Sequence, residues 1–242
     1  MTQAFDHAPL DSVMRAERRL AERIDELSKG DGLKLPITPG PVFVLLALAK
    51  GGEDFDISLD VGIGEVAAQK LRSARPGGYD ISSRAAQSSK PRTFGSIDPN
   101  PNITLDRFAY VHISDEGMLE VASGAVADMS TRVLVGLGAI NQSIQECDAK
   151  AMQAAFEALK EDGPIVVSVG LLRTQGVEVR WDDISNARGV LHEPFVTIKS
   201  WCFADRAELH ATNLNQRVNA LWDVVVQKAR SQAHASGKRT GA

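Results

Sequence analysis

The sequence predicts an α+β protein in two parts. A mainly helical domain is expected over residues 1–162, and a small strand-rich module with a C-terminal helix over 163–242. Apolar residues recur at steps of three and four through much of the first part, which is the spacing of an amphipathic helix. The last third instead holds short runs rich in β-branched and aromatic residues, which favour strands. Hydrophobic residues make up 43% of the 242 residues and charged residues 24%, so the chain can bury a core.

The first predicted helix covers residues 10–27 and carries a narrow apolar stripe on a heavily charged surface. The stripe consists of Leu10, Val13, Leu20, Ile24 and Leu27. A stripe of this width can pack against the rest of its own domain or against a helix of a partner chain. The sequence alone leaves both arrangements open.

A second helix is predicted over residues 38–50. Thr38 is a suitable N-cap, Pro39 suits the first helical position, and Gly51 follows the apolar run. The run VFVLL is apolar nearly all round, which indicates a buried element, and a buried strand is the alternative to a helix. In either conformation the segment belongs to the core.

Charge changes sign between residues 53 and 92. An acidic stretch comes first, and a basic and serine-rich stretch follows it, with the cations Lys70, Arg72, Arg75, Arg84, Lys90 and Arg92. Cations interleaved with short hydrogen-bonding side chains suit a phosphate backbone, whereas a solvated surface is the alternative. Within this region Gly62 and Gly64 lack the third glycine of a dinucleotide-binding fingerprint.

The middle of the chain predicts a strand followed by helices. Residues 103–113 alternate in the manner of a strand, and Ser114 with two following acids predicts a helix start. A long helix over 124–144 is predicted from the steps between Val126, Met129, Val133, Leu137, Ile140 and Ile144. Asp148 is predicted to cap a further helix that ends at Gly163.

The last third predicts four short strands and a final helix. The strand segments are PIVVSVGLL, GVEVRW, FVTIKSWCF and AELHA. Asn213 with Gln216 resembles a capping pair that opens a helix through Ala229, and a disordered basic tail is expected from Ser231.

The chain lacks the residue patterns of common enzymes and metal sites. Cys147 and Cys202 are its only cysteines, too few for a disulfide framework or a four-cysteine zinc site. The histidines are scattered and form no His-x-x-x-His pair, and neither a nucleophile elbow nor a P-loop is present. We therefore expect no enzymatic activity, no metal and no cofactor.

Hydropathy and charge restrict the location and the partners. No apolar run reaches the roughly 18 residues of a membrane span, and the N-terminus lacks the apolar segment of a signal peptide. We expect a cytoplasmic protein with no membrane partner. A net charge of −4 excludes a uniformly basic nucleic-acid coat but allows a local basic patch.

One long stretch resembles a known family. RFAYVHISDEG, the helix after it and VLVGLGAINQSIQECDAKAMQAAFEAL resemble the second half of a MarR-type winged-helix regulator. The matching pieces are Arg107 at the wing, the capped helix start at 112–117, the end of the long helix at 134–137 and the final helix at 148–159. The charged helix at 11–27 and ITPGPVFVLLALA are similar to the front of that family, so the resemblance covers residues 10–162.

The resemblance implies a homodimeric transcriptional regulator that binds double-stranded DNA through a winged-helix domain. Two copies would pair through the helices at 10–27, 124–144 and 149–160, and each would place residues 80–90 in a major groove. The implied DNA-binding residues are Arg84, Gln87 and Ser88 at bases, and Lys90, Arg92 and Arg107 at phosphates, together with Arg72 and Arg75 from the same basic stretch. The unmatched module over 163–242 leaves room for a small-molecule effector.

Two other functions remain open at this point. The heptad-like helices and a strand-rich tail without a catalytic cluster also suit a non-enzymatic assembly or structural protein of plasmid, phage or partner-complex origin. The third hypothesis is a small-molecule enzyme built in residues 164–230 that uses His192, Glu193 or His210.

Overall fold

The centre of the molecule is an antiparallel sheet built around a fully buried strand, β1 (Val42–Ala49). The computed structural model describes residues 8–29, 40–49, 60–79, 81, 92–98, 107–124, 126, 133–182 and 187–237. The described chain is an α+β fold, with a helix near each end. The sheet runs in the order β2-β3-β4-β1-β5-β8, and β9 also pairs with β5; the other strands are β2 (Thr93–Asp98), β3 (Arg107–Ile113), β4 (Leu119–Ser123), β5 (Ile165–Leu172), β8 (Phe195–Thr197) and β9 (Trp201–Phe203).

The helix predicted over residues 38–50 is wrong, and the alternative of a buried strand is confirmed. β1 pairs with β4 on one side and with β5 along its whole length on the other. Because both faces of the sheet are covered, all eight side chains of β1 are buried. A strand covered on both faces is apolar at every position, so its pattern cannot be distinguished from that of a buried helix.

The N-terminal helix, α1 (Ala8–Ser28), packs on one face of this sheet. Leu20, Ile24 and Leu27 of its predicted stripe are buried there, against alternate side chains of β1 such as Val44 and Leu46, and Val13 is half-buried. Of the two arrangements left open by the sequence, the described residues of the stripe therefore pack against their own chain. The helix prediction for residues 10–27 is confirmed.

A buried ion pair joins α1 to the sheet. Glu120 in β4 lies on the face that α1 covers, and its side chain is only 2% exposed. Arg23 donates to both of its carboxylate oxygens, at 2.8 and 3.3 Å, and the hydroxyl of Tyr110 donates to one of them. One turn earlier in α1, Arg19 pairs with Glu116 in a more exposed position. A buried carboxylate needs such partners because an unpaired buried charge is costly.

Three helices cover the opposite face of the sheet. They are α2 (Val61–Leu71), α4 (Ala149–Ala158) and α5 (Ala211–Gly237), and α2 packs mainly on α4. α2 begins at a side-chain cap, since Asp60 accepts from the backbone of Gly62 at 2.8 Å and Ile63 at 3.2 Å. The helix predicted through Ala229 is confirmed, and one face of it is fully buried, with Leu214, Val218, Leu221, Val225 and Ala229. α5 also extends beyond Ser231, where a disordered tail was expected, to Gly237.

The long helix predicted over residues 124–144 is wrong. Only α3 (Gly138–Ser143) is helical in its described part, and a π-helical turn over Ile144–Asp148 connects α3 to α4. Leu134 instead bridges to Val179 as an extended residue. Gly136 has a φ of +153°, which a helix does not accommodate. The apolar residues are therefore spaced as in a helix, but the described backbone at Leu134 and Gly136 is not helical.

Two predicted helix caps have other roles. Ser114 begins a turn between β3 and β4, where its hydroxyl accepts from the backbone of Glu116 at 3.2 Å and Met118 at 3.1 Å. The same side chains serve turns and helix starts, so this pattern is ambiguous. Asp148 makes no side-chain capping bond to α4, although the helix that it was predicted to cap is confirmed. Its carboxylate turns towards another part of the chain.

Three of the four strand segments predicted in the last third are confirmed. β5 is confirmed and β6 (Glu178–Asp182) is confirmed, but β6 pairs with β7 (Ala187–Val190) in a separate two-stranded sheet. FVTIKSWCF divides into β8 and β9. AELHA is not a strand, because a 3-10 turn over Arg206–Glu208 occupies it. Since β5 pairs with β1, one sheet contains strands from both sides of the predicted boundary at residue 162.

Among the described residues, no helix combines the length and the apolar character that a membrane crossing requires.

The first prediction concerns the buried ion pair. Arg23→Ala leaves Glu120 buried without its cation, and we expect the free energy of unfolding to fall by about 3 kcal/mol, the scale for breaking a buried pair. Arg19→Ala, in the same helix, removes a largely exposed pair and should cost about 0–1 kcal/mol. Urea denaturation of both variants measures the difference. Equal losses for the two variants would contradict the role given to Glu120.

A second prediction concerns Glu193, which precedes β8 and contacts α5. Hydrogen bonds from Lys228 (2.9 Å) and Gln232 (2.9 Å) lower the pKa of Glu193 to about 2. A lowered pKa in the folded state means that the carboxylate stabilises the fold above its unfolded pKa, and that this contribution disappears as the pH falls towards 2. Its side chain is 36% exposed, so screening by solvent limits the effect.

We therefore expect Glu193→Gln to lower the free energy of unfolding by about 0.2–1 kcal/mol at pH 7, and by progressively less between pH 5 and pH 2. Urea denaturation across this pH range measures the effect, and 1 M salt should reduce it at pH 7. A difference that stays constant with pH would show that the carboxylate charge contributes nothing.

Candidate functional site

Three cations lie at the C-terminal end of α2. Lys70 is in its last turn, Arg72 is its C-cap residue, and Arg75 lies in the turn that follows; we refer to these three residues as the cationic end of α2. Lys70 and Arg75 are exposed, whereas Arg72 is half-buried with its guanidinium 5.4 Å from the ring centre of Phe94. The C-terminus of a helix favours cations because its carbonyls carry partial negative charge.

The turn after α2 fixes the backbone of this site. Pro76–Gly78 form a 3-10 turn in which Gly77 and Gly78 have φ values of 64° and 86°, a region that glycine occupies without strain. The backbone N–H of Arg75 donates to the buried carboxylate of Asp148 at 2.7 Å, and that of Gly77 donates to the Ser143 hydroxyl at 3.2 Å. The backbone at Arg75 is thus attached to the α3–α4 segment while its side chain is exposed to solvent.

Asp148 has an unusual environment for a carboxylate. The residue is only 2% exposed, and burial raises its pKa, against the lowering effect of the hydrogen bonds from Arg75 and Ser143. No described cationic side chain forms an ion pair with it. Its partners are the backbone N–H of Arg75 and the hydroxyl of Ser143, so the carboxylate fixes the position of the turn after α2.

Arg92, predicted as a phosphate contact, is already engaged. Its side chain is 10% exposed and forms an ion pair with Asp115. It also lies against α2 at Gly64, where a Cβ atom would come within 2.7 Å of Nη1 of Arg92. Because Gly64 has no side chain, the guanidinium of Arg92 can pack directly against α2 at this position.

The remaining predicted DNA-binding residues are distributed as follows. Arg107 is the first residue of β3, opposite Asp98 in β2, at the end of the hairpin where the strands are connected by residues 99–106. Arg84, Gln87, Ser88 and Lys90 lie outside the described residues. Of the predicted set, the structure therefore brings together Arg72 and Arg75, and it puts Arg92 at the other end of α2.

A polar pocket of about 210 Å³ lies between α1 and the β3–β4 turn. Its lining includes both ion pairs of α1 and the buried side chain of His112, whose Nδ1 lies 2.8 Å from the Thr93 hydroxyl. Both arginines in the pocket are paired with glutamates, so the pocket presents no uncompensated cation, and its lining holds two arginines against four carboxylates. Among the described residues no group of three potential metal ligands occurs.

The sequence interpretation passed over Glu120 and Arg23, although a signal exists. Glu120 interrupts the apolar strand LEVAS, and Arg19 and Arg23 are spaced four residues apart, as are Glu116 and Glu120. Matching spacings of opposite charge on a helix and on a strand end indicate that the two elements pair. That signal identifies a packing contact, and it carries no information about a ligand.

The residues of the enzyme hypothesis do not form a cluster with evident chemistry. His192 and His210 are exposed. Glu193 is bonded to Lys228 and Gln232, and with a pKa of about 2 it stays ionised at neutral pH. A carboxylate of that kind is a weak proton acceptor, because general acid–base catalysis favours a pKa near the working pH.

Comparison with known proteins adds no assignment. No family model, no curated protein and no solved structure matches this chain.

Proposed function

We propose that the chain binds double-stranded DNA as a homodimer and acts as a transcriptional regulator. The observation that carries the proposal is the cationic end of α2. Among the described residues, no carboxylate pairs with the exposed side chains of Lys70 or Arg75; Lys70 lies in α2, and the backbone of Arg75 is bonded to Asp148. Cations held in a fixed position and without an acidic partner suit the phosphates of a nucleic acid.

The order of the elements also supports the proposal. α2 is followed by the segment 82–91 with Arg84 and Lys90, and then by the antiparallel pair β2 and β3. A positioning helix, a recognition segment and a wing hairpin follow one another in this order in winged-helix proteins. In the proposed complex Arg84, Gln87 and Ser88 contact bases, while the cationic end of α2, Lys90 and Arg107 contact phosphates.

Arg92 has a different role in this proposal. Because its guanidinium is paired with Asp115 and packed on Gly64, it links α2 to the β3–β4 turn. Contact with a phosphate would require exchange of the carboxylate partner. We therefore propose that Arg92 holds α2 against the β3–β4 turn and does not contact DNA.

The overall charge of −4 does not oppose binding. Exposed charges are screened beyond about 8 Å at physiological salt, so a local group of cations determines the field at the DNA surface. Two copies related by symmetry would double the number of phosphate contacts. That gain is the reason for proposing a dimer, and its interface must avoid the apolar residues of α1 and α4, which are buried within the chain.

A third prediction tests the DNA interface. Fluorescence anisotropy with a labelled duplex should give binding at 50 mM salt and a steep fall in affinity with salt. Each lost phosphate contact reduces the slope of log K against log salt by about 0.9. In a homodimer the double variant Lys70→Glu, Arg75→Glu removes two contacts from each copy, so it should lower the slope by about 3.6 and weaken binding.

The matched control changes two exposed cations that also lack an acidic partner among the described residues, Lys160→Glu and Lys199→Glu, with the same change in net charge. We expect this variant to keep the wild-type salt slope. Absence of duplex binding by the wild-type protein at 50 mM salt would refute the proposed function. An equal loss in both double variants would show that total charge matters and that the cationic end of α2 does not.

A fourth prediction concerns the oligomeric state. Light scattering coupled to size-exclusion chromatography should give twice the 26.0 kDa of one chain, without DNA and with it. A monomer would refute the dimer. Particles larger than a dimer, together with no DNA binding, would favour the alternative of an assembly or structural protein.

A further inference from the structure

Ser143 and Asp148 form a buried polar pair at the π-helical turn between α3 and α4. Oδ1 of Asp148 accepts from the backbone of Arg75 at 2.7 Å, and Oδ2 lies 2.8 Å from the Ser143 hydroxyl oxygen. That hydroxyl is also 3.0 Å from the carbonyl of Ile140 and accepts from the backbone of Gly77 at 3.2 Å. Two backbone N–H groups of one turn are thus held by two side chains of another segment.

The π-helical turn explains how these two side chains reach the same loop. Residues five apart in an α-helix point in directions that differ by about 140°, because each residue turns the chain by about 100°. The wider turn over Ile144–Asp148, closed by a bond from the backbone of Ala149 to the carbonyl of Ile144, brings Ser143 and Asp148 together. Insertions of this kind occur frequently at functional sites because they redirect side chains.

Ser143 and Asp148 fix the position of the turn after α2, and burying the carboxylate of Asp148 lowers the stability of the fold. Asp148 is buried without an ion-pair partner among the described residues, and a buried carboxylate of this kind is expensive unless hydrogen bonds compensate it. An apolar side chain would fill the same space without that cost, yet it could not accept the N–H of Arg75. What the carboxylate supplies is the fixed position of the turn that carries the cationic end of α2.

We propose that Asp148 is a positioning residue of the DNA interface: with Ser143 it anchors the Arg75–Gly78 turn, so that Arg75 meets a phosphate from a fixed backbone. This inference rests on the proposed function. Anchoring lowers the conformational entropy lost on binding, because the turn is ordered before the DNA arrives. The partner is the sugar–phosphate backbone, so the contribution of the anchor is independent of base sequence.

The test compares Asp148→Ala with Asp148→Asn. Asn keeps an oxygen to accept from Arg75 and has an N–H group that can donate to Ser143, so it preserves the anchor without the charge. Ala removes both bonds. We expect Asp148→Ala to increase amide hydrogen exchange at Arg75 and Gly77. It should weaken duplex binding at 0.1 M salt by about eightfold for each copy, the value of one phosphate contact, and so by about 60-fold for the dimer. Asp148→Asn should retain wild-type exchange and affinity.

A control separates positioning from general destabilisation. Val225→Ala creates a cavity under α5 and should lower the melting temperature without changing the affinity for the duplex. Increased exchange in Asp148→Ala with unchanged affinity would overturn the positioning role and leave the DNA-binding proposal intact. Failure of the wild-type protein to bind the duplex would overturn both, whatever the exchange data show. Loss of affinity in Asp148→Asn equal to that in Asp148→Ala would also overturn the role, because the anchor would then not be the cause.

Discussion

The pairing of β1 with both β4 and β5 is the constraint on which the architecture depends. It joins a segment near the N-terminus to strands from the middle and the last third of the chain. Alternate side chains of β1 enter two separate cores: Val44 and Leu46 face α1, whereas Phe43 and Leu45 face the three-helix side. A register slip of one residue would exchange these two sets. The positions of α1 and of the helices on the opposite face therefore follow from one strand register.

Polar contacts then determine how the helices are placed on this sheet. The apolar stripe of α1 allows sliding along the sheet, but Arg23 reaches Glu120 at one position only, and Arg19 meets Glu116 one turn away. On the other face Asp148 has the corresponding role for the turn after α2. Apolar burial supplies the free energy of docking, and these directional bonds select one docked arrangement.

Elements with a strong period could be predicted from the sequence, and contacts between distant residues could not. The helices α1 and α5 have apolar residues at helical spacing, and the sequence at 107–113 alternates, so these three elements could be predicted. β1 is apolar at every position, so its pattern does not separate a strand from a helix, and the helical steps over 124–144 persist although Gly136 has a φ of +153°. The cations of the candidate site could be identified because they belong to a basic, serine-rich stretch of the sequence. Asp148 was assigned to a local cap because nothing in its neighbourhood indicates a partner 73 residues away.

The electrostatics of the candidate site follow from the same long-range contact. The carboxylate of Asp148 is directed at a backbone amide and a hydroxyl inside the protein, and burial raises its pKa. An exposed carboxylate at this place would neutralise Arg75 and repel a phosphate. A buried one orders the turn, while the side chains of Lys70 and Arg75 remain exposed on the outer surface. The fold thus separates the group that holds the turn from the groups that would meet the DNA, and the link between them is the backbone N–H of Arg75.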